Sequence, residues 1–393
     1  MLRRLAADFG GVYAVNGLIA FIFAATGPVA IILAVGAQGG LTQADLSSWI
    51  FGSFFVNGLL SIGFCLAWRQ PLVFFWTIPG AVLVGPALGH LSYAEVIGAF
   101  FATGVLMLAL GLSGWVRRCT EAAPMPIVMA MVAGVFLRFG TGLVHAVRDD
   151  VAIAAPMVLV FVFLSFATRV ARFLPPVLGA LVTGAVATLL AGKAHLQGEQ
   201  ILQLALPNVY APAFSWQAMV ELVVPLAITV LVVQNGQGFA VLKAAGHKPP
   251  IDAIASACGA SSMVTAFFGS VSSCLTGPVN AIISSSGEKD RHYTAGVFVG
   301  VLALAFGALS PLFVRLLLST PPAFIAALGG LAMLRVLQTA FGVAFGGKFA
   351  LGALVTFLVT VSDVTLFNVG AAFWALVIGF AVSWLLERRD FKG

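Results

Sequence analysis

The sequence predicts an all-α polytopic membrane protein with about fourteen transmembrane spans, arranged as a seven-plus-seven inverted repeat. Three observations predict this fold class: the composition, the recurrence of long apolar runs, and helix breakers that recur in both halves. Of the 393 residues, 61% are hydrophobic and 9% are charged, whereas a soluble domain carries roughly 25% charged residues. Apolar runs long enough to cross about 30 Å of hydrocarbon follow one another along the chain, which leaves almost no extramembrane domain.

The apolar runs give the bounds of the predicted spans. The first run begins near Gly11, lacks a small-residue cleavage site and is followed at once by more apolar sequence, so it is predicted to be a span and not a signal peptide. In chain order, the predicted spans cover residues 11–35, 43–67, 71–90, 93–115, 121–143, 151–168, 174–191, 219–244, 251–268, 270–286, 293–314, 321–342, 348–362 and 367–386.

The positive charges orient these spans. With the N-terminus inside, fifteen of the 20 Lys and Arg residues lie on the cytoplasmic side, three lie on the opposite side, and Arg138 and Arg335 fall within spans. Cytoplasmic loops carry such an excess in membrane proteins, so both termini are predicted to be cytoplasmic. The net charge of +6 is therefore interpreted as membrane orientation, and no nucleic-acid partner is expected.

The two halves of the chain resemble each other when one is shifted onto the other. Residues 1–195 hold spans 1–7 and residues 215–393 hold spans 8–14, and seven spans in each half give the halves opposite orientations. An inverted repeat of this kind is typical of secondary transporters. The matched positions include Pro124 with Pro321, Arg138 with Arg335, Gly80 with Gly277, and Ala30 with Ala240.

Four spans contain helix breakers: ATGPV in span 1, WTIPGAV in span 3, VQNGQG in span 8 and SVSSCLTGPVNA in span 10. Spans 3 and 10 are short, as expected of an extended segment followed by a half-helix, and Pro suits the first turn of such a helix. An unpaired backbone group costs several kcal/mol in hydrocarbon, so breaks in matching positions predict a binding site at the midplane. Two facing helix N-termini, each with about half a positive charge, would bind an anion.

The polar residues of these breaks are the candidate ligands. Gln234 and Asn235 are adjacent in mid-span, where such side chains either face a polar cavity or join helices together. Trp76 would form an aromatic wall of the site or pack in the protein interior. The predicted substrate-binding residues are Thr26, Gly27, Trp76, Thr77, Ile78, Pro79, Gly80, Gln234, Asn235, Leu275, Thr276 and Gly277.

The titratable residues give fewer indications. Asp363 is a candidate for proton coupling, and Arg138 and Arg335 are interpreted as scaffold residues, with substrate counter-ions as the alternative. Glu221 begins its span, where a carboxylate favours a helix N-terminus. No metal-ligand spacing, cofactor motif or catalytic motif is present, so neither an enzyme nor a metal site is expected. The four cysteines, among them Cys119, are interpreted as small buried hydrophobes.

Four segments resemble the benzoate:proton symporter (BenE) family: FWTIPGAVLV, MVAGVFLRFGTGL, LVVQNGQGFAVLKAAGH and FLVTVSDVTLFNVGAAFWALVIG. The resemblance extends over nearly the whole chain, and the family is similar to nucleobase–cation symporters and sulfate-permease-type anion transporters. It implies a core domain of spans 1–4 and 8–11 that moves against a gate domain of spans 5–7 and 12–14. It also implies a substrate site between the half-helices of spans 3 and 10, and a homodimer through the gate domain.

The resemblance implies proton-coupled uptake of benzoate or a similar aromatic carboxylate across a bacterial inner membrane. Nucleobase transporters of similar sequence carry acidic residues on spans 8 and 10, whereas the break of span 8 here has Gln234 and Asn235 and span 10 has no carboxylate. This suits an anionic substrate. The alternatives are a uniporter or exchanger of an inorganic or small organic anion, and an ion channel, although channel-like rings of charge or filter loops are not evident.

Overall fold

The computed structural model describes residues 2–116, 118, 124–167, 174–193, 203–285, 287–364, 366–367 and 369–391. In the first half the helices are α1 Leu2–Asp8, α2 Gly11–Ala25, α3 Gly27–Gln38, α4 Gln43–Trp68, α5 Ile78–Ala87, α6 Tyr93–Ser113, α7 Met125–Asp149, α8 Val151–Phe166 and α9 Pro176–Leu190. In the second half they are α10 Trp216–Ala244, α11 Ile251–Ala266, α12 Gly277–Ile283, α13 His292–Ala308, α14 Ser310–Leu318, α15 Pro322–Ala344, α16 Ala350–Ser362 and α17 Ala371–Leu386. Two strands, β1 Phe74–Trp76 and β2 Ser273–Leu275, complete the structure.

Seven helical segments of the described chain are long and apolar enough to cross a membrane: α2 with α3, α4, α6, α7, α10, α13 together with the short 3-10 helix Lys289–Arg291 before it, and α15. Six shorter apolar helices, α5, α8, α9, α11, α16 and α17, lie between them. The chain is therefore an integral membrane protein built mainly of helices, while the fourteen-span layout stays a prediction. The predicted start of span 5, the end of span 6, the end of the first repeat at residue 195 and Cys119 lie outside the described residues.

Helices pack in pairs through glycines. The pairs α6 with α11, α4 with α13, and α16 with α17 lie along each other. A Cβ on Gly58 of α4 would lie 2.9 Å from the Gly300 carbonyl oxygen of α13, and a Cβ on Gly300 would lie 2.9 Å from the Gly58 carbonyl oxygen. Small residues allow such close backbone approach, which replaces the hydrophobic effect as the source of helix association in lipid.

Three of the four predicted breaks are confirmed. The helix of span 1 ends at Ala25 and restarts at Gly27, with Thr26 in a non-helical conformation between them. Spans 3 and 10 each consist of an extended segment and a short helix. The all-α prediction was wrong at one place, because the two extended segments pair as a small antiparallel sheet.

The predicted break in span 8 was wrong. Helix α10 continues through the VQNGQG motif and contains two π-helical segments, Met219–Val223 and Thr229–Gln234. The motif has no proline, so every residue keeps its N–H, and wider i→i+5 turns absorb the irregularity without ending the helix. The predicted span 11 was also too long, since α13 ends at Ala308 and α14 follows it.

Three of the cysteines, Cys65, Cys258 and Cys274, are buried free thiols, as the sequence predicted for them. Two histidines form a separate buried contact at the end of α10: His247 Nε2 lies 3.2 Å from His292 Nδ1. Burial, followed by the proximity of His292 and Lys289, lowers the pKa of His247 to about 4, against a smaller opposing effect of Asp290.

This lowered pKa predicts acid sensitivity. The unfolded chain takes up a proton on His247 near its ordinary pKa, about 6.5, whereas the folded chain takes it up only near 4. The contribution to stability is therefore complete above about pH 6.5 and is lost as the pH falls toward 4, on the order of 2 kcal/mol. Thermal unfolding in detergent at pH values across this window is the measurement. The variant H247Q is expected to flatten the pH dependence, and an unchanged slope in H247Q would contradict the assignment.

Candidate functional site

The sheet of β1 and β2 fixes the positions of the two half-helices. Phe74 lies opposite Leu275 and Trp76 lies opposite Ser273 in antiparallel register. Each strand leads directly into its helix, α5 after β1 and α12 after β2. Because the strands are antiparallel, the two helices start at opposite ends of one small buried sheet and continue away from each other.

The two starts are equivalent in their hydrogen bonding. The Thr77 N–H donates to the Ser272 carbonyl oxygen at 3.0 Å, and the Thr276 N–H donates to the Val73 carbonyl oxygen at 3.2 Å. Thr77 and Thr276 are the N-cap residues of α5 and α12. The equivalent of Gly277 is therefore Ile78, so the predicted repeat match of Gly277 with Gly80 was wrong by two residues.

At the start of α5 the Thr77 side chain caps the first turn. The Thr77 Oγ1 accepts a hydrogen bond from the Gly80 N–H at 3.2 Å and donates one to the Thr229 Oγ1 at 3.1 Å. Gly80 also packs tightly, since a Cβ there would lie 3.0 Å from Leu226 Cδ2. Pro79, which brings no N–H, and Gly80 are both buried. This helix start is thus capped by Thr77 and packs against Leu226 and Thr229 of α10, just where the second π-helical segment begins.

The start of α12 is open by comparison. The Thr276 side chain makes no capping hydrogen bond, and Pro278 has no N–H to offer. The first-turn N–H groups of Gly277 and Val279 therefore point out of the helix end without a capping acceptor. Gln237 of α10 lies over this end, because a Cβ on Gly277 would be 2.8 Å from the Gln237 Oε1. Gln237 was not among the predicted substrate-binding residues, although it belongs to the VQNGQG motif.

Asn235 connects α10 to the sheet. Its Oδ1 accepts a hydrogen bond from the Leu275 N–H at 2.8 Å, and its Nδ2 lies 3.7 Å from the Cys258 Sγ. Asn235 is fully buried and its neighbour Gln234 is 7% exposed. The geometry thus assigns Asn235 and Leu275 to positioning β2.

A second buried amide, which was not among the predicted site residues, connects the two half-helix segments. Asn280 of α12 accepts a hydrogen bond from the Val73 N–H at 3.0 Å and donates one to the Val73 carbonyl oxygen at 3.1 Å. It also donates to the Thr276 carbonyl oxygen at 2.8 Å. The Asn280 side chain therefore pairs with the backbone of Val73 as a neighbouring strand would. This pairing holds α12 against the segment that precedes β1.

Trp76 lies in an aromatic cluster, with its ring centroid 4.9 Å from that of Phe54 on α4. It is 3% exposed, which fits interior packing. Its indole N–H and the Ser272 hydroxyl have no hydrogen-bond partner among the described residues. Buried donors of this kind usually have a partner. The Trp76 N–H and the Ser272 hydroxyl therefore remain able to form hydrogen bonds beside the sheet.

The break in span 1 contacts two other helices. The Thr26 Oγ1 donates to the Ile22 carbonyl oxygen at 2.9 Å, which satisfies one carbonyl at the end of α2. A Cβ on Gly27 would overlap the Cβ of Ala332 on α15 and would lie 3.4 Å from Val177 Cγ1 on α9. The start of α3 therefore packs by its bare backbone against α15.

Charged residues line a cavity between α5 and α10 on one side and α7, α16 and α17 on the other. Its lining residues are Val82, Leu83, Pro86, Val135, Arg138, Glu221, Leu222, Thr360, Asp363, Gly370, Ala371 and Ala372. The Arg138 Nη2 lies 2.5 Å from the Asp363 Oδ2, and the His90 Nε2 lies 2.8 Å from the Glu221 Oε2. Arg138 thus joins α7 to the end of α16, which fits a scaffold residue, while Arg335 on α15 is exposed.

Comparison with known proteins gives one consistent picture. A family model described as benzoate membrane transport protein (BenE) matches residues 8–385. The chain is 28% identical over 368 residues to inner membrane protein YdcO of Escherichia coli strain K12, covering 92% of this chain and 93% of YdcO. It is 26% identical over 392 residues to the benzoate membrane transport protein of Acinetobacter baylyi, covering 98% of each.

A solved structure with a similar fold is the transmembrane domain of a cyanobacterial bicarbonate transporter, BicA. The TM-score is 0.63 at 14% sequence identity, over 94% of this chain and 97% of that chain. At this identity the similarity concerns the fold alone.

Proposed function

Since the chain belongs to the BenE family of benzoate membrane transport proteins, we propose that it is a secondary transporter that imports benzoate or a similar aromatic carboxylate together with a proton. The observation that carries the proposal is the uncapped start of α12 beside the buried sheet. A carboxylate needs hydrogen-bond donors that remain after folding, and this helix end offers them in the protein interior. The membership of a family of transporters, and not of enzymes, supports the same function.

The carboxylate is proposed to bind at the open end of α12. The N–H groups of Gly277 and Val279, the Thr276 hydroxyl and the Gln237 amide surround this point, and Gln234 lies on the same helix as Gln237. Hydrogen bonds to an ionised acceptor contribute roughly 1.5–3 kcal/mol each. The ring is proposed to lie against Ile78 and Pro79, the apolar residues at the start of α5. The Trp76 N–H is proposed as a further donor to the carboxylate, and Thr26 and Gly27 are proposed to lie at the edge of the site.

Transport is proposed to occur by alternating access. The architecture proposed for it has fourteen spans arranged as an inverted repeat. The core domain, spans 1–4 and 8–11, would move as a rigid body against the gate domain, spans 5–7 and 12–14. The close contact of the Gly27 backbone with Ala332 lies on this boundary and supports such a division, because a residue without a side chain allows the two helices to approach closely. We also propose a homodimer through the gate domain and both termini in the cytoplasm. The carried proton is assigned to no residue, although Asp363 stays a candidate.

Removal of the Gln237 amide is expected to weaken substrate binding specifically. Its side chain is exposed, so Q237A leaves the folded yield unchanged while the KM for benzoate rises about tenfold, as expected for one lost hydrogen bond to a charged group. Initial uptake rates over a range of benzoate concentrations measure this. Q43A, on an exposed glutamine of α4, is the matched control. An unchanged KM in Q237A would remove Gln237 from the site.

The proposed substrate class is tested by competition. Labelled benzoate uptake into proteoliposomes is measured with an excess of unlabelled benzoate, substituted benzoates, bicarbonate or sulfate. Inhibition by the aromatic carboxylates alone is expected. Inhibition by bicarbonate or sulfate, together with uptake of those ions, would favour the alternative of an inorganic-anion uniporter or exchanger.

A further inference from the structure

The chain enters α10 through a segment, residues 203–215, that forms neither helix nor strand and lies between the predicted spans 7 and 8. We call this segment the strap. It contains no charged residue, and large apolar side chains are exposed along it, Leu206 to 93% and Phe214 to 62%. The others are Leu204 and Val209, and the exposed Trp216 follows the strap at the start of α10. Exposed apolar side chains grouped in this way mark an interaction surface.

The strap is fixed to helices of the proposed core domain. Three of its backbone N–H groups donate to carbonyl oxygens elsewhere in the chain, from Ala205 to Ala308 at 2.8 Å, from Tyr210 to Phe267 at 2.8 Å and from Ala213 to Ala94 at 2.9 Å. On α4, the Ser48 hydroxyl donates to the Asn208 carbonyl oxygen at 3.0 Å, and the Asp45 carboxylate accepts from the Tyr210 hydroxyl. These partners lie on α4 and α6 or at the ends of α11 and α13, so the strap has a defined course along these helices.

The end of the strap lies beside α6 and not above it. A Cβ on Gly98 would overlap the Ala213 carbonyl oxygen, and the Phe214 ring centroid lies 6.3 Å from that of Phe101. Gly98 and Phe101 lie about 8 and 12 Å along the helix from Tyr93, its first residue. Since α6 has 21 residues and is therefore about as long as the hydrocarbon is thick, this end of the strap lies at membrane depth.

The Phe214 ring extends an apolar surface formed by α6 and α11, which pack along each other. The ring centroids of Phe101 and Phe267 lie 5.7 Å apart. One turn further along the same helix faces, Val105 and Val264 are also exposed. In an integral membrane protein such a surface faces lipid, so the strap side chain that continues it meets the same environment.

The strap also meets the conditions for backbone inside a bilayer. Non-helical backbone is tolerated there where it is packed against protein and its polar groups are satisfied, and the hydrogen bonds above serve three of its N–H groups. Pro207 and Pro212 bring no N–H. Tyr210 and Trp216 are of the residue types that are enriched where a membrane meets water.

We propose that the strap is a lipid-binding surface, with Leu206 and Phe214 inserted among the acyl chains of one leaflet. In the proposed orientation this is the outer leaflet, and Tyr210, bound to Asp45, marks its polar boundary. A second copy of this chain is the other occupant that an apolar surface could take. The homodimer is proposed through the gate domain, however, whereas the strap is fixed to the core, and its surface continues the lipid-facing side of α6 and α11.

Fluorescence quenching tests this placement and requires no substrate. Bimane is attached to L206C or F214C in lipid nanodiscs, where both faces of the membrane are accessible, and the unsubstituted chain is treated in parallel to subtract labelling of native cysteines. V105C, on the exposed face of α6, is the lipid reference. E288C, at a side chain that is 75% exposed between predicted spans, is the water reference. The quenchers are a phospholipid with a nitroxide on its acyl chain and aqueous iodide.

Both strap labels are expected to be quenched by the nitroxide lipid as strongly as V105C. Quenching by iodide is expected to be about tenfold weaker than at E288C, because an ion is excluded from hydrocarbon. Iodide quenching equal to that of E288C would place the strap in water and overturn the proposal. Weak quenching by both reagents, with disulfide cross-linking between F214C chains, would assign the surface to a second copy and overturn it as well. Neither result bears on benzoate uptake, which is measured separately.

Discussion

Replacement of Gly27 by valine is expected to reduce uptake by about a hundredfold or more. The valine side chain must occupy the space of the Ala332 Cβ and of Val177, where α3 meets α15 and α9. Overpacking of this kind typically costs about 1–3 kcal/mol, and here it also blocks the boundary on which the proposed core and gate domains move. Uptake per molecule of monodisperse purified protein is the measurement.

Two further variants make this prediction specific. G236A adds a methyl group to a glycine of α10 with no atom within 4 Å of the new Cβ, and it is expected to transport normally. The double variant G27A/A332G moves one methyl group across the contact and is expected to recover most of the activity that G27A loses. Normal uptake by G27V would contradict the assignment of this contact to the moving boundary.

Replacement of Asn280 by alanine is expected to destabilise the protein by about 2–5 kcal/mol, because it leaves the buried Val73 N–H without a partner and removes one of the two donors to the Val73 carbonyl oxygen. The loss is expected to appear as a lower folded yield and a lower Tm in detergent. It also releases α12 from the sheet, so the remaining folded protein is expected to transport poorly.

The matched control is S285A, because Ser285 is exposed and follows the same helix. Its hydroxyl donates to the Ile282 carbonyl oxygen only, and its loss is expected to leave the Tm nearly unchanged. Equal Tm values for N280A and the unsubstituted protein would show that the amide does not hold the half-helices together.

The positions of the half-helices were predictable because their signals are local. Proline fixes its own φ and lacks an N–H, so WTIPGAV and LTGPVNA end an extended segment and start a helix wherever they lie. Thr26 and Gly27 were predictable for the same reason. The break predicted at VQNGQG was wrong for the same reason. The motif contains glycine but no proline, so every residue keeps its backbone N–H, and α10 continues through the motif, in part as a π-helix.

The contacts across the sequence were not predictable. Asn280 binds Val73, Asn235 binds Leu275, and Glu221 binds His90, and each pair is far apart in sequence and joined only by the fold. Burial of Asn235 likewise depends on where β2 lies. The repeat match of Gly80 with Gly277 failed because apolar helices align by chance, whereas the capping positions Thr77 and Thr276 are fixed by backbone hydrogen bonds.

The proposed function is proton-coupled uptake of an aromatic carboxylate. The most direct test is the uptake of labelled benzoate into proteoliposomes of purified protein, with and without an inward proton gradient. Proton-coupled transport predicts accumulation above equilibrium that requires the gradient, collapses with a protonophore beyond the level seen in protein-free liposomes, and is inhibited by unlabelled benzoate. Uptake that is indifferent to the gradient and to excess unlabelled benzoate would contradict it.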